Sequence, residues 1–354
     1  MDEQAIRKVM SGEHRGVGTA LLRGVLSLAS GPYAAVSGAR RWAYRHSLLR
    51  SYWAPMPVIS IGNITAGGTG KTPMVAWVVA RLHEMGQKPA ILMRGYRARS
   101  GVSDEAQLLQ QVCGEVVGGQ PAVPVIVSPN RVAGALAAVD AGADVTVMDD
   151  GFQHRRLRRD LDIVLIDATN PFGYGRCLPR GLLREPLSAL RDADALVVTR
   201  ADVLPWEQLD ALREVLTKLS PHATHHAAIH RPSRLIDQAG REVPLSALTE
   251  KRSLAFCGLG NPHAFWGTLE KLGAAVADRV ALADHAHYTP AVAASLVEQA
   301  KQYDAEVLVT TQKDAVKLDG LAFDLPVWHL QVELEVIDGR DELLAAIQKA
   351  AAGR

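Results

Sequence analysis

Short apolar runs at 57–61, 90–93, 123–127, 145–148, 163–166 and 195–198 alternate with segments of helical periodicity. A run that is apolar at nearly every position suits a strand covered on both faces. Its alternation with helical segments predicts an α/β fold, a mostly parallel sheet flanked by helices. After the first run, Met74, Val75, Val78, Val79 and Leu82 share one helix face that ends before Gly86. Pro73 sits in the first turn of that helix, where a missing N–H does no harm. Residues 231–252 are polar, carry turn signals and break the rhythm, so they read as a linker with a hairpin around Ala239-Gly240. Further runs at 254–257, 306–309 and 327–330 predict a second, smaller α/β domain.

The N-terminus follows another pattern. Residues 17–38 are largely apolar and precede Arg40, Arg41, Arg45 and Arg50, among which Trp42, Tyr44, Tyr52 and Trp53 are interleaved. A signal peptide carries its charge ahead of the apolar core, which is the reverse of this order. Arg23 interrupts the run, and Gly31-Pro32 is expected to break it short of a bilayer-spanning length. Apolar residues, aromatic rings and arginines together suit a helix lying in the headgroup region of an anionic membrane. The alternative is a helix packed on the domain surface.

Between the first run and its helix stands Thr65-Ala66-Gly67-Gly68-Thr69-Gly70-Lys71-Thr72. Small residues let backbone N–H groups converge on phosphate oxygens, and the following helix adds its dipole. Lys71 can reach the outer phosphates and the Thr72 hydroxyl can ligate Mg²⁺. Position 65 departs from the general phosphate-loop pattern, having Thr in place of Gly. The run at 145–148 delivers Asp149 and Asp150 to a strand end, where one of the two acids could hold Mg²⁺ beside Thr72. The resulting division is an N-terminal membrane-associating helical segment over 1–50 and a phosphate-loop nucleotide-binding domain over 51–230. A linker over 231–252, the smaller α/β domain over 253–335 and a C-terminal helix over 336–354 follow.

Composition narrows the partners. With 48% hydrophobic and 22% charged residues and a net charge of +1, the chain is an ordinary globular protein with no nucleic-acid partner expected. Cys113, Cys177 and Cys257 are odd in number and widely spaced, which argues against disulfides or a thiolate metal site and fits a reducing cytoplasm. A nucleotide-dependent switch is the competing class. Thr199-Arg200-Ala201-Asp202 and Thr311-Gln312-Lys313-Asp314 faintly echo a guanine-reading pattern, but Met148 stands where a switch GTPase carries Asp three before its Gly. The run His154-Arg155-Arg156-Leu157-Arg158-Arg159 is either a solvated loop or a site for anionic headgroups or a substrate phosphate. Arg176, Arg180 and Arg184 pose the same choice, and Lys313-Asp314 either meets substrate or caps the next helix.

Several strings converge with GNITAGGTGKTP: Arg94-Gly95-Tyr96, Asp150-Gly151-Phe152-Gln153-His154-Arg155-Arg156, Leu182-Leu183-Arg184-Glu185-Pro186, Asp284-His285 and Lys313-Asp314-Ala315-Val316-Lys317-Leu318. Together they resemble the tetraacyldisaccharide 4′-kinase family, the lipid A 4′-kinases of Gram-negative bacteria, over residues 20–335. The resemblance implies phosphoryl transfer from ATP, with Mg²⁺, to the 4′-hydroxyl of an acylated glucosamine disaccharide 1-phosphate, giving lipid IVA. It also implies work at the cytoplasmic face of the inner membrane, as a peripheral or monotopic protein. In the family an Asp in a G-D-E-P string acts with a His of the second domain. Here the matching string is Ser103-Asp104-Glu105-Ala106, so Asp104 carries over without its flanking Gly and Pro. The His falls at His285, with Asp284 placed to orient it and His287 the lesser candidate. On this resemblance Asp104 accepts the sugar hydroxyl proton, His285 holds or tunes it, and Lys71 neutralises the phosphoryl group. Arg184 and Glu185, in a family string, are candidates for a site-shaping pair.

Overall fold

The computed structural model of the chain describes residues 3–14, 16–95, 104–118, 123–283 and 286–353. It opens with α1 (Glu3–Ser11) and α2 (Val17–Arg45). There follow β1 (Val58–Asn63), α3 (Lys71–Glu84), β2 (Pro89–Met93), α4 (Asp104–Val116), β3 (Val125–Val127), α5 (Arg131–Asp140) and β4 (Val145–Asp149). Next come β5 (Leu161–Asp167), β6 (Ala195–Thr199), α6 (Trp206–Leu219) and β7 (Thr224–Asp237). The chain divides into two compact units, one of residues 1–97, 109–229 and 334–354, the other of 98–108 and 230–333.

In the first unit the strands lie in the order β3-β2-β4-β1-β5-β6-β7, and each neighbouring pair is parallel. The chain leaves β1 for β2, returns to β4, and resumes on the other side of β1 at β5. That makes the end of β1 the topological switch point, where ligands of doubly wound sheets bind. Every residue of β1, β2 and β6 is buried, as their unbroken apolar runs require of strands covered on both faces. The α3 face read from the sequence is buried throughout: Met74, Val75, Val78, Val79 and Leu82 are all inaccessible.

The second unit contains β8 (Glu242–Val243), α7 (Ala247–Glu250), β9 (Ser253–Cys257), α8 (Pro262–Lys271) and β10 (Val276–Ala281). It continues with α9 (Pro290–Gln302), β11 (Val307–Thr311), α10 (Gln312–Ala315) and β12 (Val327–Asp338). Its strands β10-β9-β11-β12 are again parallel. The last helix, α11 (Arg340–Ala351), belongs to the first unit, where it meets α3 and β1. Residues 231–252, read as a linker, are regular structure: the second half of β7, then β8 paired antiparallel through Leu235↔Val243, then α7. The turn closes around Asp237, whose Oδ1 accepts from the backbone N–H groups of Ala239 and Arg241, both at 2.9 Å. From 230 to 237 only Leu235 is fully buried, so this part of the strand carries the polar composition of a loop.

The expected break at Gly31-Pro32 does not occur. Helix α2 runs unbroken for 29 residues through Pro32, about 43 Å at 1.5 Å per residue. Proline deletes the bond to the carbonyl of Leu28, and that carbonyl lies on the exposed face, where water can serve it. The opposite face is pinned. Ser30 Oγ donates to Cys177 O at 2.9 Å, Tyr33 Oη to Arg184 O at 3.1 Å, and Arg41 to Ser188 Oγ at 2.8 Å. No helix among the described residues is long and apolar enough to cross a membrane.

Candidate active site at the phosphate loop

The segment 64–70 joins the end of β1 to the first turn of α3, and its last residue, Gly70, is the N-cap with φ 87° and ψ 26°. A side chain at that left-handed position would be strained, which is the reason for glycine directly before Lys71. Gly62 answers a different need. A Cβ there would lie 2.6 Å from Phe152 Cβ, so its absence lets the loop after β4 lie directly against β1.

That loop brings Asp150 to the phosphate loop. Lys71 Nζ lies 3.3 Å from Asn63 Oδ1 and 3.6 Å from Asp150 Oδ1, and Arg184 donates to the same carboxylate oxygen at 2.7 Å. Burial opposes ionisation of Asp150, but Lys71 and Arg184 outweigh it and hold its carboxyl below the usual range. Asp149, the last residue of β4, is opposite Ile61 of β1, so both acids stand at the sheet edge that carries the loop. Gln153 donates to Asn63 O at 2.7 Å, and Asn63 Nδ2 to Thr65 O at 2.7 Å.

The string 182–186 forms a wall of this site. Ala66 N–H donates to Leu182 O and Arg184 N–H to Ile64 O, each at 2.7 Å, making an antiparallel bridge between Thr65 and Leu183. Arg184 and Glu185, read as a pair, face different partners: Arg184 reaches Asp150, whereas Glu185 lies 3.2 Å from Arg155.

The basic run divides in the same way. Arg155 is buried between Glu185 and Asp192, at 3.2 and 2.7 Å, and Arg159 pairs with Asp162 at 2.7 Å. Both are structural cations. Arg156 and Arg158 are exposed, over the rings of Tyr52 and Trp53 at 5.4 and 4.8 Å. Burial first, and then the surrounding arginines, push the His154 imidazole down to about 4, so it is neutral at pH 7.

The structure therefore brings together Thr65, Ala66, Gly67, Gly68, Thr69, Gly70, Lys71 and Thr72 with Asp149 and Asp150 in the first unit. Asp104 is the first residue of α4, exposed, and belongs to the second unit. Asp284 and His285 lie outside the described residues. Among the described residues no group of three or more His, Cys, Asp or Glu could hold a metal ion, which leaves His287 without a ligand cluster. Asp314 is fully buried and accepts from Gly258 N–H at 3.0 Å and from Oγ1 of Thr311 at 2.8 Å; the cap expected of Lys313-Asp314 is Thr311, and Asp314 lies inside α10. Sequence reasoning missed Asn63, Gln153, Thr199 and Arg200 as neighbours of the loop. Thr199 closes β6 and Arg200 follows it, but no local pattern shows their reach to loop carbonyls about 130 positions earlier.

Comparison with known proteins finds relatives along most of the chain. Residues 22–352 match the family described as Tetraacyldisaccharide-1-P 4′-kinase (LpxK). A tetraacyldisaccharide 4′-kinase of Anaeromyxobacter sp. (strain K) is 40% identical over 94% of this chain and 92% of its own length. The enzyme of that name from Syntrophus aciditrophicus (strain SB) is 40% identical over 83% of this chain and 84% of its own. The crystal structure of LpxK from Aquifex aeolicus in complex with ATP is 30% identical, with a TM-score of 0.73 covering 93% of this chain and 99% of that one.

Proposed function

Since the chain belongs to the tetraacyldisaccharide 4′-kinase family, we propose that it transfers the γ-phosphoryl group of ATP to the 4′-hydroxyl of a tetraacylated glucosamine disaccharide 1-phosphate, giving lipid IVA in lipid A biosynthesis. The chain is a phosphotransferase with an alcohol acceptor. One observation carries the placement of its chemistry: Lys71, at the head of α3, shares Asp150 with Arg184 at the switch point of the sheet. Such transfer needs alignment and charge neutralisation more than covalent help, and a glycine-rich loop with a mobile cation supplies both.

The residues fit Mg²⁺. Thr72 offers a hydroxyl and Asp149 and Asp150 offer carboxylate oxygens, the hard donors this ion takes, on elements that meet at the loop. Either carboxylate stands at the sheet edge from which it could make direct contact. When bound, the ion would neutralise charge on the β- and γ-phosphate oxygens. Lys71 would leave Asp150 for those oxygens. Asp104 would accept the proton of the sugar hydroxyl, and His285 would hold or tune Asp104.

Membrane contact would come through α2. Val17, Leu21, Val25, Leu28 and Val36, spaced at helical intervals, are 63–80% exposed on the face away from the Ser30, Tyr33 and Arg41 contacts. A surface of this kind, with exposed Arg156 and Arg158 lying over the rings of Tyr52 and Trp53, suits the anionic inner leaflet at its cytoplasmic side. The test of the activity is transfer of label from γ-labelled ATP to tetraacyldisaccharide 1-phosphate in mild detergent with Mg²⁺. Acceptor-dependent label in lipid supports the reading. Label appearing only as free phosphate, or turnover with GTP and none with ATP, would favour a nucleotide switch.

A further inference from the structure

We propose that Thr199 and Arg200 are positioning residues of the phosphate loop, which fix two successive loop carbonyls so that the loop is set for a triphosphate before the nucleotide arrives. This rests on the reading of the loop as the ATP site.

Both residues come from the carboxyl end of β6, the second strand from β1. Thr199 is fully buried, and its Oγ1 lies 2.9 Å from the carbonyl oxygen of Thr69; the other acceptor in reach, Ile166 O, is at 3.5 Å. One arm of the Arg200 guanidinium donates to Gly68 O at 3.0 Å, and the other pairs with Asp167 at the end of β5. Asp167 is itself fixed, because its Oδ1 accepts from Thr169 N–H at 3.0 Å and Thr169 Oγ1 at 2.8 Å. The backbone of Arg200 is left-handed, with φ 54° and ψ 38°. Residues other than glycine adopt that conformation rarely, and it is kept where the surroundings require the side chain in one direction.

Why the carbonyls matter follows from charge. A loop that receives phosphate must present N–H groups, and a carbonyl oxygen turned toward the anion would repel it. Side-chain donors rooted in the rigid sheet hold those oxygens elsewhere, and Asn63 does the same for Thr65 O. Reorganisation that would otherwise accompany binding is then already complete, which strengthens nucleotide affinity without touching the acceptor.

The test measures equilibrium binding of a non-hydrolysable ATP analogue to the full chain, together with KM for ATP and for the lipid acceptor. Thr199→Val keeps the volume and removes the donor, Thr199→Ser restores it, and Arg200→Ala removes the second clamp. Loss of one such hydrogen bond predicts a rise of about three- to tenfold in analogue Kd and ATP KM for Thr199→Val and Arg200→Ala. Recovery to within about twofold is expected for Thr199→Ser, with acceptor KM of all three unmoved, while the nucleotide-free unfolding midpoint falls modestly for Thr199→Val and Arg200→Ala. Analogue Kd unchanged in both Thr199→Val and Arg200→Ala would overturn the proposal. So would an equal rise in the KM for ATP and the KM for the lipid acceptor, since that marks a general loss of the folded site. Failure of the unsubstituted chain to bind the analogue would remove the ATP-site reading, and the clamp with it.

Discussion

Asp150 stands between two cations, and that arrangement sets what Lys71 can do. The side chain of Lys71 lies 3.6 Å from Asp150 Oδ1, while Arg184 holds the same oxygen at 2.7 Å. When Lys71 moves to a triphosphate, Arg184 remains to balance the acid, so Asp150 is not left as an unpaired, half-buried charge. Lys71→Ala should therefore preserve the folded site while lowering both ATP affinity and phosphoryl transfer. Unchanged transfer by that variant in the label assay would remove the loop from the reaction. Asp104 calls for the opposite signature. It is exposed at the start of α4, and its proposed task is taking a proton from the acceptor. Asp104→Asn should lower kcat by roughly 10²–10⁴-fold, the usual span for a general base, with ATP-analogue binding kept. Full activity would exclude Asp104 from proton transfer.

At the scale of the element, α2 is a helix with two unlike faces. Ser30, Tyr33 and Arg41 tie one face to the segment that also builds the phosphate-loop wall, since Tyr33 bonds the carbonyl of Arg184. The other face leaves valines and leucines in the open, and a soluble surface rarely keeps so many in one row. Replacing Val25 and Leu28 together by Asp should leave the inner contacts and the fold intact. It should strongly reduce co-sedimentation with vesicles of anionic phospholipid, while solution-phase ATP binding stays as it was. Attraction that comes from arginines is screened by salt and burial of apolar side chains is not. Binding by the unsubstituted chain should thus weaken but persist in high salt. Vesicle binding by the double variant equal to that of the parent would assign the membrane contact elsewhere. Pro32 shows why this element was only half legible: a proline on the exposed side of a pinned helix is tolerated, so the sequence signal for a break was real but outweighed by packing.

Across the whole molecule, what the sequence disclosed was what periodicity and covalent spacing encode. The buried strands β1, β4, β5 and β6, the α3 face, and the loop from Thr65 to Thr72 with Asp149 and Asp150 could be placed by pattern alone. Contacts that depend on long-range register could not. Arg200 reaches Gly68 across 132 positions and Arg184 reaches Asp150 across 34, and no local rule pairs them. The second half of β7 was not legible because a partly buried polar strand and a loop share a composition. This division has a thermodynamic consequence. The loop, Lys71, Asp150, Arg184, Thr199 and Arg200 all lie in the first unit, so the proposed ATP site should bind nucleotide without the acceptor. A ligand at about 100 times its Kd stabilises the state that binds it by about 2.7 kcal/mol. For a cooperative unit of this size that corresponds to a rise of about 5–10 °C in the unfolding midpoint. Calorimetry with a non-hydrolysable ATP analogue and no lipid should show that rise in the parent chain and little of it in Lys71→Ala. An equal rise in both proteins would mean that the nucleotide binds away from the loop, and no midpoint change in the parent would mean that ATP binding requires the lipid acceptor.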